Sequence, residues 1–254
     1  VHATVAGRPT LLLLDTGSFD HLLEGWFGRA LQDTASGTRS AALIDHANRR
    51  VPVERYSEAS FAVDGWEPLP SIRPLVTSDL TAAPRKLGIG GVLSPQRLVR
   101  GNVIVIDFPE GEMVSGEADE GASRLRARVT SLGTALRCGG SYVVDATIEG
   151  HDARLVVDTG SYVTDLKSRS APGQALVGRS SVAREVYAIG GAVATRAISD
   201  ARLAVGDLRT KLDVALIEDQ ASRGRCAGDG VIGMDVLAQC VLVLDDQKMK
   251  IACG

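Results

Sequence analysis

The chain has 254 residues, 44% of them hydrophobic, which is enough for packed cores in one large or two small domains. Its 28 Lys plus Arg against 31 Asp plus Glu leave a net charge of −3, so no basic field points to nucleic acid or to an anionic membrane. No apolar run reaches the length of a membrane span, and the first residues lack the sections of a signal peptide, so a leader removed ahead of Val1 is expected.

Residues 1–18, VHATVAGRPTLLLLDTGS, predict a strand, a turn at Gly7 and a second strand. The four leucines read as a strand buried on both faces, and it ends in the carboxylate Asp15. A charge at the edge of a core is costly unless it is paired or hydrogen-bonded. Taken alone, Asp15, Thr16, Gly17 and Ser18 make a turn. IDHANRRV (44–51) reads as a hairpin tip with Asp45, His46 and Asn48 at its approach and crest, and SEASFAVDG (57–65) as an alternating strand closed by a turn. GVLSPQRL (91–98) holds a short helical turn, and VIVID (103–107) a buried strand. Residues 111–124 carry Glu, Asp, Gly and Ser without an apolar period, which is linker chemistry.

Every one of these elements then returns. VDATIEGHDARLVVDTGS (144–161) repeats the opening with Gly150 opposite Gly7 and Asp158, Thr159, Gly160 and Ser161 opposite the first tetrapeptide. YAIGGAV (187–193) supplies a second hairpin tip with Tyr187, Gly190 and Gly191, and SDARLAVGD (199–207) the second alternating strand. GVIGMDVL (230–237) and VLVLD (241–245) close the half in the same order. The expected organisation is all-β with minor helix: an N-terminal lobe over 1–117, an inter-lobe linker over 118–137 and a C-terminal lobe over 138–254.

Like halves packed about a pseudo-two-fold axis bring equivalent points together, so Asp15 and Asp158 are expected to meet. Two adjacent carboxylates cannot both ionise easily and share one proton. The ionised member can take a proton from water while the protonated member donates to a carbonyl oxygen. Gly17 and Gly160 allow close backbone approach, and the hydroxyls of Thr16, Thr159, Ser18 and Ser161 can bond backbone or carboxylate. Donation from Ser18 and Ser161 to the ionised carboxylates would lower the apparent pKa values of the pair.

Two Asp-Thr-Gly-Ser copies, the apolar strand before each, and Val231, Ile232 and Gly233 resemble the pepsin-like aspartic peptidases over nearly the whole chain. The resemblance implies a two-lobed β fold with pseudo-two-fold symmetry and endopeptidase activity on a peptide or protein substrate. It also implies a water held between Asp15 and Asp158. The chain is short and poor in aromatics, closer in scale to two fused retroviral-type subunits. The first lobe departs twice: Ser94 stands where glycine is expected after Val92 and Leu93, and the first hairpin tip lacks the family's tyrosine, Tyr56 falling on the return strand. The rival reading is an inactive two-lobed peptide-binding or inhibitor-like protein of the same fold.

GDGVIG (228–233) matches a dinucleotide-binding fingerprint in letters alone, since no strand, helix and second strand surround it. The four histidines, His2, His21, His46 and His151, lack ligand spacing and read as surface residues, His46 near a cleft; no cofactor or metal is expected. Cys138, Cys226, Cys240 and Cys253 are expected to form two disulfides, Cys226 with Cys240 and Cys138 with Cys253 by sequence order. Such bridges suggest an oxidising location, secreted or periplasmic, and the chain is expected to be a monomer.

Overall fold

The computed structural model describes every residue except 32–38, 45–48, 56–58, 67–68, 73–74, 78–84, 100, 117, 180, 189–190, 219–225 and 227. The first half opens with β1 (His2–Val5) and β2 (Arg8–Leu14), followed by β3 (Leu22–Leu23), α1 (Gly25–Arg29), β4 (Arg39–Ile44) and β5 (Arg50–Arg55). It continues with β6 (Ala59–Val63), β7 (Leu69–Ile72), β8 (Leu75–Thr77) and β9 (Ile89–Leu93). These strands form one sheet in the order β4-β5-β8-β3-β9-β2-β1-β6-β7. The hairpin β1–β2 turns through Ala6 (φ 49°) and Gly7 (φ 77°), both left-handed as a two-residue turn matched to strand twist requires.

After β10 (Val103–Asp107), β11 (Glu112–Gly116), α2 (Ala118–Arg126) and β12 (Thr130–Cys138), the second half repeats the plan. Strands β13 (Ser141–Ile148) and β14 (His151–Val157) turn through Glu149 (φ 52°) and Gly150 (φ 83°), the counterparts of Ala6 and Gly7. Then come β15 (Asp165–Lys167), α3 (Ala171–Leu176), β16 (Val182–Ala188), β17 (Gly191–Val205), β18 (Leu208–Ile217) and β19 (Gly230–Ile232). The half ends with α4 (Met234–Leu237), β20 (Cys240–Leu244) and β21 (Lys248–Cys253). The order β14-β19-β15-β18 repeats β2-β9-β3-β8. In both halves the strand that leads to the aspartate has a parallel neighbour, with Leu14 beside Leu93 and Val157 beside Ile232.

The halves join where β10 pairs antiparallel with β20, from Ile104↔Leu244 to Asp107↔Val241. Apolar side chains of both strands are buried here, among them Ile104, Val105, Leu242 and Leu244 at 0% exposure, so the seam is core rather than surface. Its one buried charge, Asp107, is met by Arg128 (3.0 Å) and Arg124 (3.5 Å), which satisfies the pairing a buried carboxylate needs.

Three expectations change. Residues 112–116 and 118–126, read as linker, form β11 and α2, and 130–138 form β12; β11 closes a hairpin with β10 across the turn at 108–111, a pairing that the polar composition of the segment hides. The leucine run of β2 is not buried on both faces: Leu12 is buried while Leu13 is 42% exposed, because only one face of the strand meets the core. The disulfides are Cys138–Cys226 and Cys240–Cys253, not Cys226–Cys240 and Cys138–Cys253. Cys240 and Cys253 face each other in the β20–β21 hairpin. Cys253 lies beside Thr130 of β12, eight residues from Cys138, a strand distance of about 26 Å that no disulfide spans.

Candidate active site

Strands β2 and β14 deliver Asp15 and Asp158 to the same point. Each is held as an extension of its parallel ladder: Asp15 N–H donates to Leu93 O (2.9 Å) and Asp158 N–H to Ile232 O (3.1 Å). Past each aspartate the chain turns, and the two turns interlock. Thr16 Oγ1 donates to Val157 O (2.7 Å) and accepts from Thr159 N–H (3.1 Å). Thr159 Oγ1 reciprocates, donating to Leu14 O (2.8 Å) and accepting from Thr16 N–H (3.1 Å). Both threonines are buried, so four backbone groups of two lobes are satisfied by two hydroxyls.

The glycines are needed for the same approach. A Cβ on Gly17 would land on the Asp158 carboxyl, and one on Gly160 would lie 2.5 Å from Asp15 Cγ. Any side chain at either position would drive the aspartates apart. As it is, the two carboxyls are hydrogen-bonded to each other. Burial, and then the neighbouring charge of Asp158, hold Asp15 well above the usual carboxylate range, so the pair retains a proton.

Ser18 and Ser161 act differently from the expectation. The hydroxyl of Ser18 donates to Asp20 O (2.7 Å) and that of Ser161 to Val163 O (2.7 Å). A hydroxyl has one proton, so neither donates to a carboxylate. The backbone does instead: Ser18 N–H meets Asp15 Oδ1 (2.8 Å), while Gly160 N–H (2.9 Å) and Ser161 N–H (3.2 Å) meet Asp158 Oδ1.

Beneath the turns the lobes differ. In the second lobe Met234 N–H donates to Ser161 O (2.8 Å), and Gly233 N–H donates to Thr164 Oγ1 (3.2 Å). Asp235 accepts from both Thr164 N–H and its hydroxyl, at 2.8 Å each. In the first lobe Pro95 occupies the place of Met234 and has no N–H to offer. Ser94 supplies the missing donor: its hydroxyl bonds Ser18 O (2.7 Å), so this serine secures the turn in the place where glycine was expected. Ser94 N–H donates to His21 Nδ1 (3.1 Å), and Gln96 takes the position of Asp235.

His21 corrects the surface reading of the histidines. It is 4% exposed and stacked on Phe61, whereas His2 and His151 are exposed; His46 lies outside the described residues. Burial, and then Arg97, lower its pKa to about 4. The alignment of the two tetrapeptides, which sets His21 opposite Thr164, carried the signal for this structural place.

Both predicted tips belong to hairpins. β4 pairs with β5 up to Ile44↔Arg50, and β16 with β17 up to Ala188↔Gly191. Asp45, His46, Asn48, Gly190 and Tyr56 lie outside the described residues. The backbone of Tyr187 pairs with Ala192, and Gly191 takes φ 99° beside the turn. The hairpins touch: Arg49 donates from the first to Gly191 O (3.0 Å) and Ala192 O (3.2 Å) of the second. Tyr162, next to the second tetrapeptide, ties β16 down through its hydroxyl to Glu185 O (3.0 Å).

Residues 144–236, from β13 to α4 and including Asp158, match a family model described as aspartyl protease. No curated protein matches the chain in sequence. Among solved structures, the aspartic proteinase from Irpex lacteus aligns with 100% of this chain and 93% of its own, at a TM-score of 0.56 and 14% identity. By sequence, then, the second lobe is similar to the aspartyl protease family, and over its whole length the chain has the fold of an aspartic proteinase.

Proposed function

We propose that the chain is an aspartic endopeptidase that hydrolyses peptide bonds with a water held between Asp15 and Asp158. One observation carries this reading: the two Asp-Thr-Gly-Ser turns interlock so that their carboxyls share a hydrogen bond. In the reaction the ionised carboxylate takes a proton from the water as its oxygen attacks the peptide carbonyl carbon, and the protonated partner donates to the carbonyl oxygen. The resulting gem-diol collapses when one carboxyl takes back a hydroxyl proton and the other protonates the leaving nitrogen, which breaks the C–N bond and restores a single shared proton.

One chain supplies both aspartates, which supports a monomer as the working unit. Among the described residues no helix is long and apolar enough to cross a membrane. The two disulfides support an oxidising location, secreted or periplasmic.

The test is cleavage of a mixed peptide library between pH 3 and 7. Cleavage should follow a bell-shaped profile, since both carboxylates ionise at high pH and both are protonated at low pH. Asp15→Asn and Asp158→Asn should each lower kcat by about 10²–10⁴-fold with the fold retained. Peptide binding without cleavage at any pH would instead identify a binding protein on this fold.

A further inference from the structure

Gln96 is 2% exposed, and its amide nitrogen faces three carbonyl oxygens. Nε2 donates to Thr16 O (3.2 Å) and Gly140 O (3.1 Å), and also to Ser18 O. All three partners are acceptors, so the nitrogen must be the atom that points at them. Two of these carbonyls belong to the turn that presents Asp15, and the third to the β12–β13 turn of the other lobe. The peptide between Gly17 and Ser18 matters most. Gln96 holds the carbonyls of Thr16 and Ser18 that flank it, and its N–H donates to Asp15 Oδ1 (2.8 Å). Donors on the flanking carbonyls fix the turn and with it the direction of this N–H.

From this we infer that Gln96 is a positioning residue for the dyad: it aims the Ser18 N–H at Asp15 and locks that turn to Gly140 of the opposite lobe. The second lobe uses Asp235, an acceptor, in the equivalent place. The two supports are therefore of opposite hydrogen-bonding sense and cannot be exchanged. A carboxylate at 96 would confront three carbonyl oxygens with no proton to give. The surroundings add to this asymmetry: the ionisable groups nearest to hand are the dyad, His21 through Ser94, and the Asp20–Arg97 pair.

The inference rests on the aspartic peptidase reading, and its test has a readout that needs no turnover. Gln96→Met keeps the length and removes the donor. The titration of the Asp15 and Asp158 carboxyl carbons is followed by NMR in both proteins, beside kcat and KM against pH on a peptide that the wild type cleaves. With the Ser18 N–H released, the charged form loses a donor, so the upper titration of the pair and the alkaline limb of activity should move to higher pH. A misaimed carboxylate should lower kcat by about tenfold or more while KM stays within about twofold. Gln96→Glu keeps the test open if the methionine variant fails to fold: its carboxyl, neutral near and below about pH 4, has one proton to donate. Activity and the wild-type titration should then return in acid and vanish toward neutral pH. An unchanged carboxyl titration in folded Gln96→Met, or wild-type activity and titration that persist toward neutral pH in Gln96→Glu, overturns the role of Gln96. An inactive wild type with the shifts present leaves Gln96 in place and overturns the peptidase reading instead.

Discussion

At the scale of single residues, the pair and its supports make opposite demands on pH. The folded pair keeps a proton that the unfolded chain releases once pH passes the ordinary aspartate range, so Asp15 makes the fold less stable as pH rises through that window. His21 acts in the other direction. Its folded pKa of about 4 lies below its ordinary 6.5, so between these values the unfolded chain binds a proton that the folded chain refuses, and stability falls as pH drops. The full effect is about 3 kcal/mol, reached below pH 4. Protonation would also destroy the lone pair that receives Ser94 N–H. His21→Thr, which copies Thr164, keeps an acceptor and removes the titration; its urea midpoint should fall less than that of the wild type between pH 7 and pH 4. Equal falls would place the acid sensitivity elsewhere. The serines lead to a contrasting expectation. Because Ser18 and Ser161 donate to backbone oxygens, the double alanine variant should leave the alkaline limb of activity unmoved while lowering thermal stability by about 1 kcal/mol per lost bond. A limb displaced toward higher pH would show that the hydroxyls reach the carboxylates after all.

At the scale of elements, the two hairpins form a contact that local sequence could not announce. Arg49 is the bridge, since its guanidinium holds two backbone oxygens of the other hairpin while Tyr162 anchors that hairpin to its own lobe. A charged donor on partly solvated carbonyls is worth about 1 kcal/mol, or roughly a fivefold change in the fraction of molecules with the hairpins parted. Arg49→Ala should therefore raise the association rate of a peptide about fivefold, with a change in Tm of no more than about 2 °C; an unaltered rate would mean that the bridge does not limit access. The legibility of the sequence follows the same divide between local and distant causes. The left-handed turns at Gly7 and Gly150, the paired tetrapeptides and the apolar strands behind them are local patterns, and duplication made them stand out. The burial of His21 and the role of Gln96 depend on what another segment places opposite, whereas the Ser18 and Ser161 hydroxyls find partners two residues on, a choice that turn chemistry leaves open between backbone and carboxylate. For Ser94 the clue was present but negative: Pro95 removed an N–H, and only the partner lobe shows which bond had to be replaced.

At the scale of the molecule, stability and site geometry meet at the turn after β12. Gly140 lies two residues beyond Cys138, and its oxygen is one of the three that Gln96 holds. There is no room for a side chain at Gly140, because a Cβ would run into Phe19, the residue after the first tetrapeptide. The Cys138–Cys226 bridge closes a span of 88 residues, and Cys240–Cys253 one of 13. In the chain-entropy picture they contribute about 4.5 and about 3 kcal/mol. Their exposure differs as well: Cys240 and Cys253 are 0% and 2% exposed within the buried seam, whereas Cys226 is exposed. A mild reductant should therefore open Cys138–Cys226 first. Replacing Cys138 and Cys226 together by serine should lower Tm by several degrees, and it should also lower kcat, because a looser Gly140 weakens the hold on the turn that presents Asp15. Loss of the buried bridge through Cys240→Ser with Cys253→Ser should reduce stability but leave kcat within about twofold, since that hairpin joins the seam and not the turns. Measuring Tm and kcat for both double variants separates the two roles. Equal effects on kcat would mean that the disulfides act through global stability alone, and that the path from Cys138 through Gly140 to the first aspartate carries no positional constraint.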